Sequence, residues 1–336
     1  MKLKVGVIGG GRLGRVYVRD LSSRIADTRV TAIADTNVDL ARALAAEFDV
    51  PRAYGDAGDL LADRDVDAVV IVSPTHTHKD LAVRAMEAGK PTFCEKPLAL
   101  SIEECRAMQA AVERHGVFFQ MGFMRRFDPG YAAAKQQIDE GRIGRPVLFK
   151  STSRDPFPPS VEYANPASSG GILVDMGIHD FDLARWFMGD VVRVSATGGV
   201  LAWPEVAAVG DMDTAIATLT FAGGGLGAVD LARTAVYGYD IATEILGTEG
   251  TIRIGYLRET PILVMTKNSI AHDTVPYFME RFERAYTLQL QNFAQNVLGG
   301  REAPVTVDDG IEALRIALAA TRACKAGRPV EVSEIA

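Results

Sequence analysis

Up to about residue 120 the chain alternates short apolar runs with stretches whose apolar positions recur at helical spacing. The runs "KVGVIG", "RVTAIAD", "DAVVIVS", "PTFCE" and "VFFQMG" are rich in Val, Ile and Phe and are bounded by turn residues, which predicts strands. Between them the pattern predicts helices over 13–22, 38–48, 78–88 and 102–115. The last opens on "SIEE", where Ser101 can cap the helix and Glu104 can complete a capping box. Strands that alternate with helices predict a doubly wound parallel sheet covered on both faces, an α/β architecture.

From about residue 145 the pattern changes. "PVLFKSTSR", "VVRVSATG", "DTAIATLTF", "LGAVDLART", "DIATEILG", "GTIRIGY" and "PILVMT" read as strands, many joined by glycine-bearing turns such as "AGGG" and "GTEG". They predict a large, mostly antiparallel sheet with one helix inserted near 175–188 and two more near 279–298 and 308–326. One face of such a sheet can stay uncovered and become an interface between copies. We therefore expect two domains, 1–121 and 122–336.

The length of 336 residues agrees, being too great for one ordinary core. A formal net charge of -7 without a basic cluster argues against nucleic acid and anionic membranes as partners. Cys94, Cys105 and Cys324 show neither metal spacing nor a pairing pattern, which suits a reducing cytoplasm. No apolar run reaches membrane-spanning length, and "MKLKVGVIGGG" leads straight into a strand and turn with no small-residue cleavage site.

Candidate chemistry begins at that turn. Gly9, Gly11 and Gly14 form GxGxxG between a strand and a helix, with Arg12 and Leu13 inside the motif. Gly9 permits the turn, Gly11 lets backbone approach a pyrophosphate, and Gly14 allows close helix–strand packing. Asp35 ends the next strand, where a carboxylate accepts from ribose hydroxyls and repels a 2′-phosphate. Neither Thr36 nor Asn37 is basic, so the expected cofactor is NAD. Ser73, Pro74 and Thr75 follow a further strand and should line the same cleft, with His78 beside them. His76 and His78 have His-x-His spacing, but no Cys or carboxylate cluster accompanies them, and no metal is expected.

Two polar constellations remain. "CEKP" ends another strand and directs Lys96 to the cleft, with Glu95 able to anchor the ammonium or the cofactor. Asp175, His179, Asp182 and Trp186 recur at helical spacing on one stripe. That stripe suits a neutral His oriented by a carboxylate, or equally a capping Asp beside a hydrogen-bonded helix His.

Together the glycine turn, the "EKP" of Glu95–Pro97 and Asp175-x-x-x-His179-x-x-Asp182 resemble the glucose–fructose oxidoreductase and inositol dehydrogenase family, over essentially the whole chain. The resemblance implies a Rossmann domain followed by an α/β domain with an open sheet, and NAD-dependent oxidation of a secondary hydroxyl on a cyclic polyol. "GFMRRFDPGY", "YGYDIATEILG" and "ERFERAYTLQLQNF" look similar to bacterial inositol 2-dehydrogenases, which points to myo-inositol giving 2-keto-myo-inositol. It implies Lys96, Asp175 and His179 as the catalytic set, and Arg125, Asp155, Asp182 and Tyr239 with them as substrate contacts. It also implies Met124 and Arg125 beside the nicotinamide, and a homo-tetramer built through the open sheet. In "RDP" this chain carries Asp155 where an Asn is expected, an acceptor-only group that leaves the polyol isomer open. Another inositol isomer, a pyranose or an anhydrosugar is the alternative substrate. A non-catalytic dinucleotide and sugar sensor is the alternative of another class. Within the enzyme reading, His179 is the expected base and Lys96 the hydrogen-bond donor, with Lys96 as base the competing assignment.

Overall fold

The computed structural model describes residues 2–336. The chain folds as two compact units, residues 1–127 with 284–312 and residues 128–283 with 313–336.

The first unit holds a six-stranded sheet: β1 Leu3–Ile8, β2 Thr28–Ala34, β3 Ala53–Tyr54, β4 Ala68–Ile71, β5 Thr92–Glu95 and β6 Phe119–Gly122. The order is β3-β2-β1-β4-β5-β6, with every pair parallel. This is the dinucleotide-binding order, with its crevice at the carboxyl ends of the strands. The strands β4, β5 and β6 are buried at every position, as covering on both faces requires. The five expected strands all form. The unforeseen β3 has only two residues, too few to show a period.

The expected helices form at Arg12–Arg19, Val38–Glu47, His78–Glu87 and Ile102–His115. The first gives way to a wider turn over Asp20–Arg24. Ser101 caps its helix by accepting the Glu104 N–H at 3.2 Å, and its hydroxyl donates to the Glu104 carboxylate at 3.2 Å. Ala57–Ala62 and Pro129–Asp139 are further helices that the periodicity did not reveal.

The helix Glu283–Gly299 belongs to the first unit from Arg284 onward. Thr287 donates to the buried Asp20 at 2.6 Å, Gln289 donates to Tyr17 at 2.6 Å, and Phe293 meets Phe93 edge-on with centroids 5.9 Å apart.

The second unit is built on a seven-stranded sheet: β7 Pro146–Arg154, β8 Val191–Gly199, β9 Thr214–Phe221, β10 Leu226–Ala232, β11 Asp240–Gly247, β12 Thr251–Gly255 and β15 Val330–Glu331. Its order is β12-β11-β7-β10-β9-β8-β15, and only β7 with β10 is parallel. "PILVMT" reduces to β13 Val264–Met265, paired with β14 Ile270–Ala271 in a separate exposed hairpin.

One face of the large sheet is covered by the helix Gly177–Met188, buried without a break from Gly177 to Ala184. On the other face Leu226 pairs with Leu148, which pairs in turn with Leu246, while Ile216 lies on the adjacent β9. Ile216, Leu226 and Leu246 are exposed there beside the ion pairs Lys150–Glu244 and Arg154–Asp230, so the alternation leaves one face uncovered, as expected.

Close packing makes Gly14 irreplaceable at the start of the first helix. A Cβ there would stand 2.1 Å from the Gly9 carbonyl oxygen, which is backbone and cannot swing aside. We predict that Gly14→Ala lowers stability by about 2 kcal/mol, read from a denaturant midpoint.

Candidate active site

In the first unit, the sheet register brings one end of every long strand to a common edge. Ile8 stands beside Ala34 and Ile71, Ile71 beside Cys94, and Glu95 beside Gly122. The residues that follow, from Gly9, Asp35, Ser73, Lys96 and Met124, therefore share that edge.

Gly9 turns with φ +109°, a conformation that favours glycine. Gly11 precedes the helix Arg12–Arg19 with no side-chain cap, and a Cβ built on it meets nothing within 4 Å. The helix start is thus open where a phosphate would sit. Asp35 accepts the Gly10 N–H at 2.7 Å on Oδ2 and the Asn37 N–H at 2.8 Å on Oδ1. Two of its roughly four lone-pair sites are used and the carboxylate is fixed, leaving acceptors for a ribose diol. The residues present fit a bound NAD. Arg12 is exposed and Leu13, Ser73 and Thr75 are half-buried along the same edge, with Pro74 exposed.

Glu95 is buried and held from three sides. Its Oε1 accepts from the Tyr17 hydroxyl and, at 3.4 Å, from Gln289, while Oε2 accepts the Lys96 N–H at 3.0 Å. Burial raises its pKa, opposed by the Tyr17 hydrogen bond and the nearby Lys96 charge. The carboxylate thereby sets the backbone direction at Lys96, which is itself half-buried and joined to Pro97 by a cis peptide. Met124 and Arg125 lie buried in the short turn Met124–Phe127 that follows β6.

His78 is almost wholly buried, with Nδ1 2.8 Å from the Pro97 carbonyl and Nε2 2.9 Å from the Ser73 carbonyl. It ties the loop after β4 to the loop carrying Lys96.

In the second unit, Asp175, His179 and Asp182 are all buried. The single helix expected for them is interrupted. Asp175 closes a short helix, Ile172–Asp175, and the long helix restarts at Gly177. Across the junction the His179 N–H reaches only three residues back, to the Met176 carbonyl at 3.4 Å. Asp175 is therefore not on the helix that carries His179 and Asp182, and Trp186 is only half-buried.

Asp175 gains partners that no spacing announces. Its Oδ1 accepts from the Tyr163 hydroxyl at 3.1 Å and its Oδ2 from Arg233 at 3.2 Å. The same guanidinium lies 3.7 Å from Asp211, whose carboxylate takes the Ile172 N–H. Burial raises the Asp211 pKa, with the Met212 and Ile172 N–H groups and Arg233 opposing. Arg233 is 1 % exposed and is the largest of the fully buried side chains among the described residues.

Asp155 follows β7, its N–H bonded to the Ala232 carbonyl and its carbonyl to the Ala235 N–H, each at 2.8 Å. Tyr239 is buried among aromatic rings, edge-on to Tyr277 and Phe282. Among the described residues no group of three His, Cys, Asp or Glu side chains is arranged to hold a metal, and no helix is long and apolar enough to cross a membrane.

Residues 3–123 match the family described as "Oxidoreductase family, NAD-binding Rossmann fold", and residues 135–332 match its "C-terminal alpha/beta domain". The chain is 39% identical to the scyllo-inositol 2-dehydrogenase (NAD(+)) of Bacillus subtilis, covering 98% of this chain and 96% of the relative. It is 38% identical to the myo-inositol 2-dehydrogenase of Thermotoga maritima, covering 99% of each. Among solved structures, the scyllo-inositol dehydrogenase of Lactobacillus casei with bound NAD(H) and scyllo-inositol is similar at a TM-score of 0.94 and 33% identity, over 99% of this chain and 100% of that one.

The buried ring of His78 generates a pH prediction. Burial lowers its pKa below the ordinary histidine value, while the two carbonyls, which favour a doubly protonated ring, oppose it, and Lys96 and His76 add repulsion. The folded state then binds fewer protons than the unfolded state below about pH 6.5. Stability attributable to His78 is full above that pH and is lost as pH falls toward the depressed folded value. Thermal melts of the wild type and of His78→Gln across pH 5–8 should converge as the pH drops.

Proposed function

This chain belongs to the glucose–fructose oxidoreductase and inositol dehydrogenase family, and we propose that within it the chain oxidises a secondary hydroxyl of myo-inositol to 2-keto-myo-inositol. It is an oxidoreductase with a NAD-binding Rossmann domain. The observation that carries the substrate reading is end-to-end identity of 38% and 39% to dehydrogenases of myo- and scyllo-inositol. The anchored Asp35 carboxylate supports NAD, because it would repel a 2′-phosphate.

Bound NAD supplies the hydride acceptor for the carbinol C–H bond. Of the protein groups, His179 takes the hydroxyl proton as the C=O bond forms. Asp175 holds the imidazole and stabilises its protonated form. Lys96 donates a hydrogen bond to the reacting oxygen and stabilises developing alkoxide charge. Gly9, Gly11, Arg12, Leu13 and Gly14 cradle the pyrophosphate, Asp35 takes the ribose, and Ser73, Pro74, Thr75, Glu95, Met124 and Arg125 complete the cofactor side. His78 serves that side through the two loops it ties together. Arg125, Asp155, Asp182 and Tyr239 contact the polyol hydroxyls. The enzyme works in the cytoplasm as a homo-tetramer joined through the face carrying Ile216, Leu226 and Leu246, whose exposed apolar side chains support an interface.

A panel of inositols, pyranoses and anhydrosugars assayed with NAD and NADP by nicotinamide absorbance tests the reading. The expected result is turnover of myo-inositol with NAD. His179→Ala and Lys96→Met should each lose about 100-fold or more in kcat. Full turnover in His179→Ala with none in Lys96→Met would make Lys96 the base. Cofactor binding without turnover of any polyol would favour the sensor. Light scattering should give a tetramer mass for the wild type and a smaller one for Leu226→Asp.

A further inference from the structure

We infer that Arg233 is a positioning residue for the reaction, acting through Asp175. The inference rests on the assignment of Asp175 as the group that orients the base.

Arg233 follows β10 and carries a fixed charge into a site where water cannot solvate it. Such a cation is costly to bury unless carboxylates meet it, and two do: Asp175 at 3.2 Å and Asp211 at 3.7 Å. The roles of the two acids differ. Asp211 also accepts the Ile172 N–H, so it ties the guanidinium to the first turn of the helix Ile172–Asp175. Asp175 sits at the other end of that one-turn helix. Its two oxygens are divided between the guanidinium and the Tyr163 hydroxyl, which comes from the helix Val161–Ala164.

The carboxylate is thus gripped by donors on both oxygens, one of them a permanent cation. Its rotation is fixed with a cation beside it, which suits a group that orients an imidazole and stabilises its protonated form. Asp175 ends its short helix one residue short of the helix that carries His179, and the Arg233 and Tyr163 contacts fix its carboxylate there.

A double-mutant cycle tests this with polyol turnover and NADH binding as separate readouts. Asp175→Asn is expected to lower kcat strongly. Arg233→Met should lower kcat about 100-fold while NADH affinity stays within about 2-fold, and Arg233→Lys should recover about 10-fold of the loss by restoring the charge without the fork. In the Asp175→Asn background, Arg233→Met should cost less than about 3-fold, because its partner is already gone. If Arg233→Met fails to bind NADH, Arg233→Lys takes its place in the cycle. Additive losses, or wild-type kcat in both Arg233 variants, would overturn the inference while leaving the dehydrogenase reading intact. Wild-type kcat in Asp175→Asn would instead overturn the role of Asp175 on which the inference stands.

Discussion

A carboxylate taken out of water must be met by donors, and much of this protein's local architecture follows from that constraint. Asp213, fully buried, accepts the consecutive N–H groups of Leu201, Ala202 and Trp203 at 2.7–2.9 Å and so shapes the loop before its own strand. Asp128 caps the helix Pro129–Asp139 with one oxygen and meets Arg281 with the other at 2.8 Å, while that guanidinium lies over the rings of Tyr256 and Phe282. Glu95 is surrounded by Tyr17, Gln289 and the Lys96 N–H. Asp175 is divided between Tyr163 and Arg233. In each case the polar atom was buried only where the chain could supply its partners.

The proposed chemistry depends on the same clusters. Lys96 follows a strand whose last residue is locked, so its backbone is set by Glu95 on one side and by the loop tied through His78 on the other. Side chains placed on rigid elements and supported by a second layer of hydrogen bonds can hold a reacting group more closely than residues on free loops. Each compact unit thus presents its candidate groups on a frame built from its own packing. That frame, rather than the side chains in isolation, is what the parallel sheet of the first unit and the buried helix Gly177–Met188 of the second provide.

The uncovered face of the large sheet obeys a different rule. Its positions mix the exposed Leu226, Leu246, Ile216, Thr218 and Lys150 with the half-buried Thr220 and with the ion pairs Lys150–Glu244 and Arg154–Asp230. Alternation along each strand follows from backbone geometry alone, so burying one face commits the other to whatever residues remain.

Periodicity and turn chemistry were enough to determine most of the elements: the five long strands of the parallel sheet, six of the seven strand-like runs of the second region, the Ser101 cap and the glycine turn with Asp35 could all be read in order, while β3 and the helices Ala57–Ala62 and Pro129–Asp139 could not. These features are local, each set by a few neighbouring residues and by the spacing that a helix or strand imposes. The structure alone decided which distant side chains meet. Arg233 and Asp175 are 58 positions apart, Gln289 and Tyr17 272, and neither pair lies on one periodic element. The break at Met176 was hidden for a related reason, since a stripe at helical spacing looks the same whether the helix runs through or restarts. Partnership across the fold is chosen by burial, which leaves each charged group only the donors that packing brings within reach.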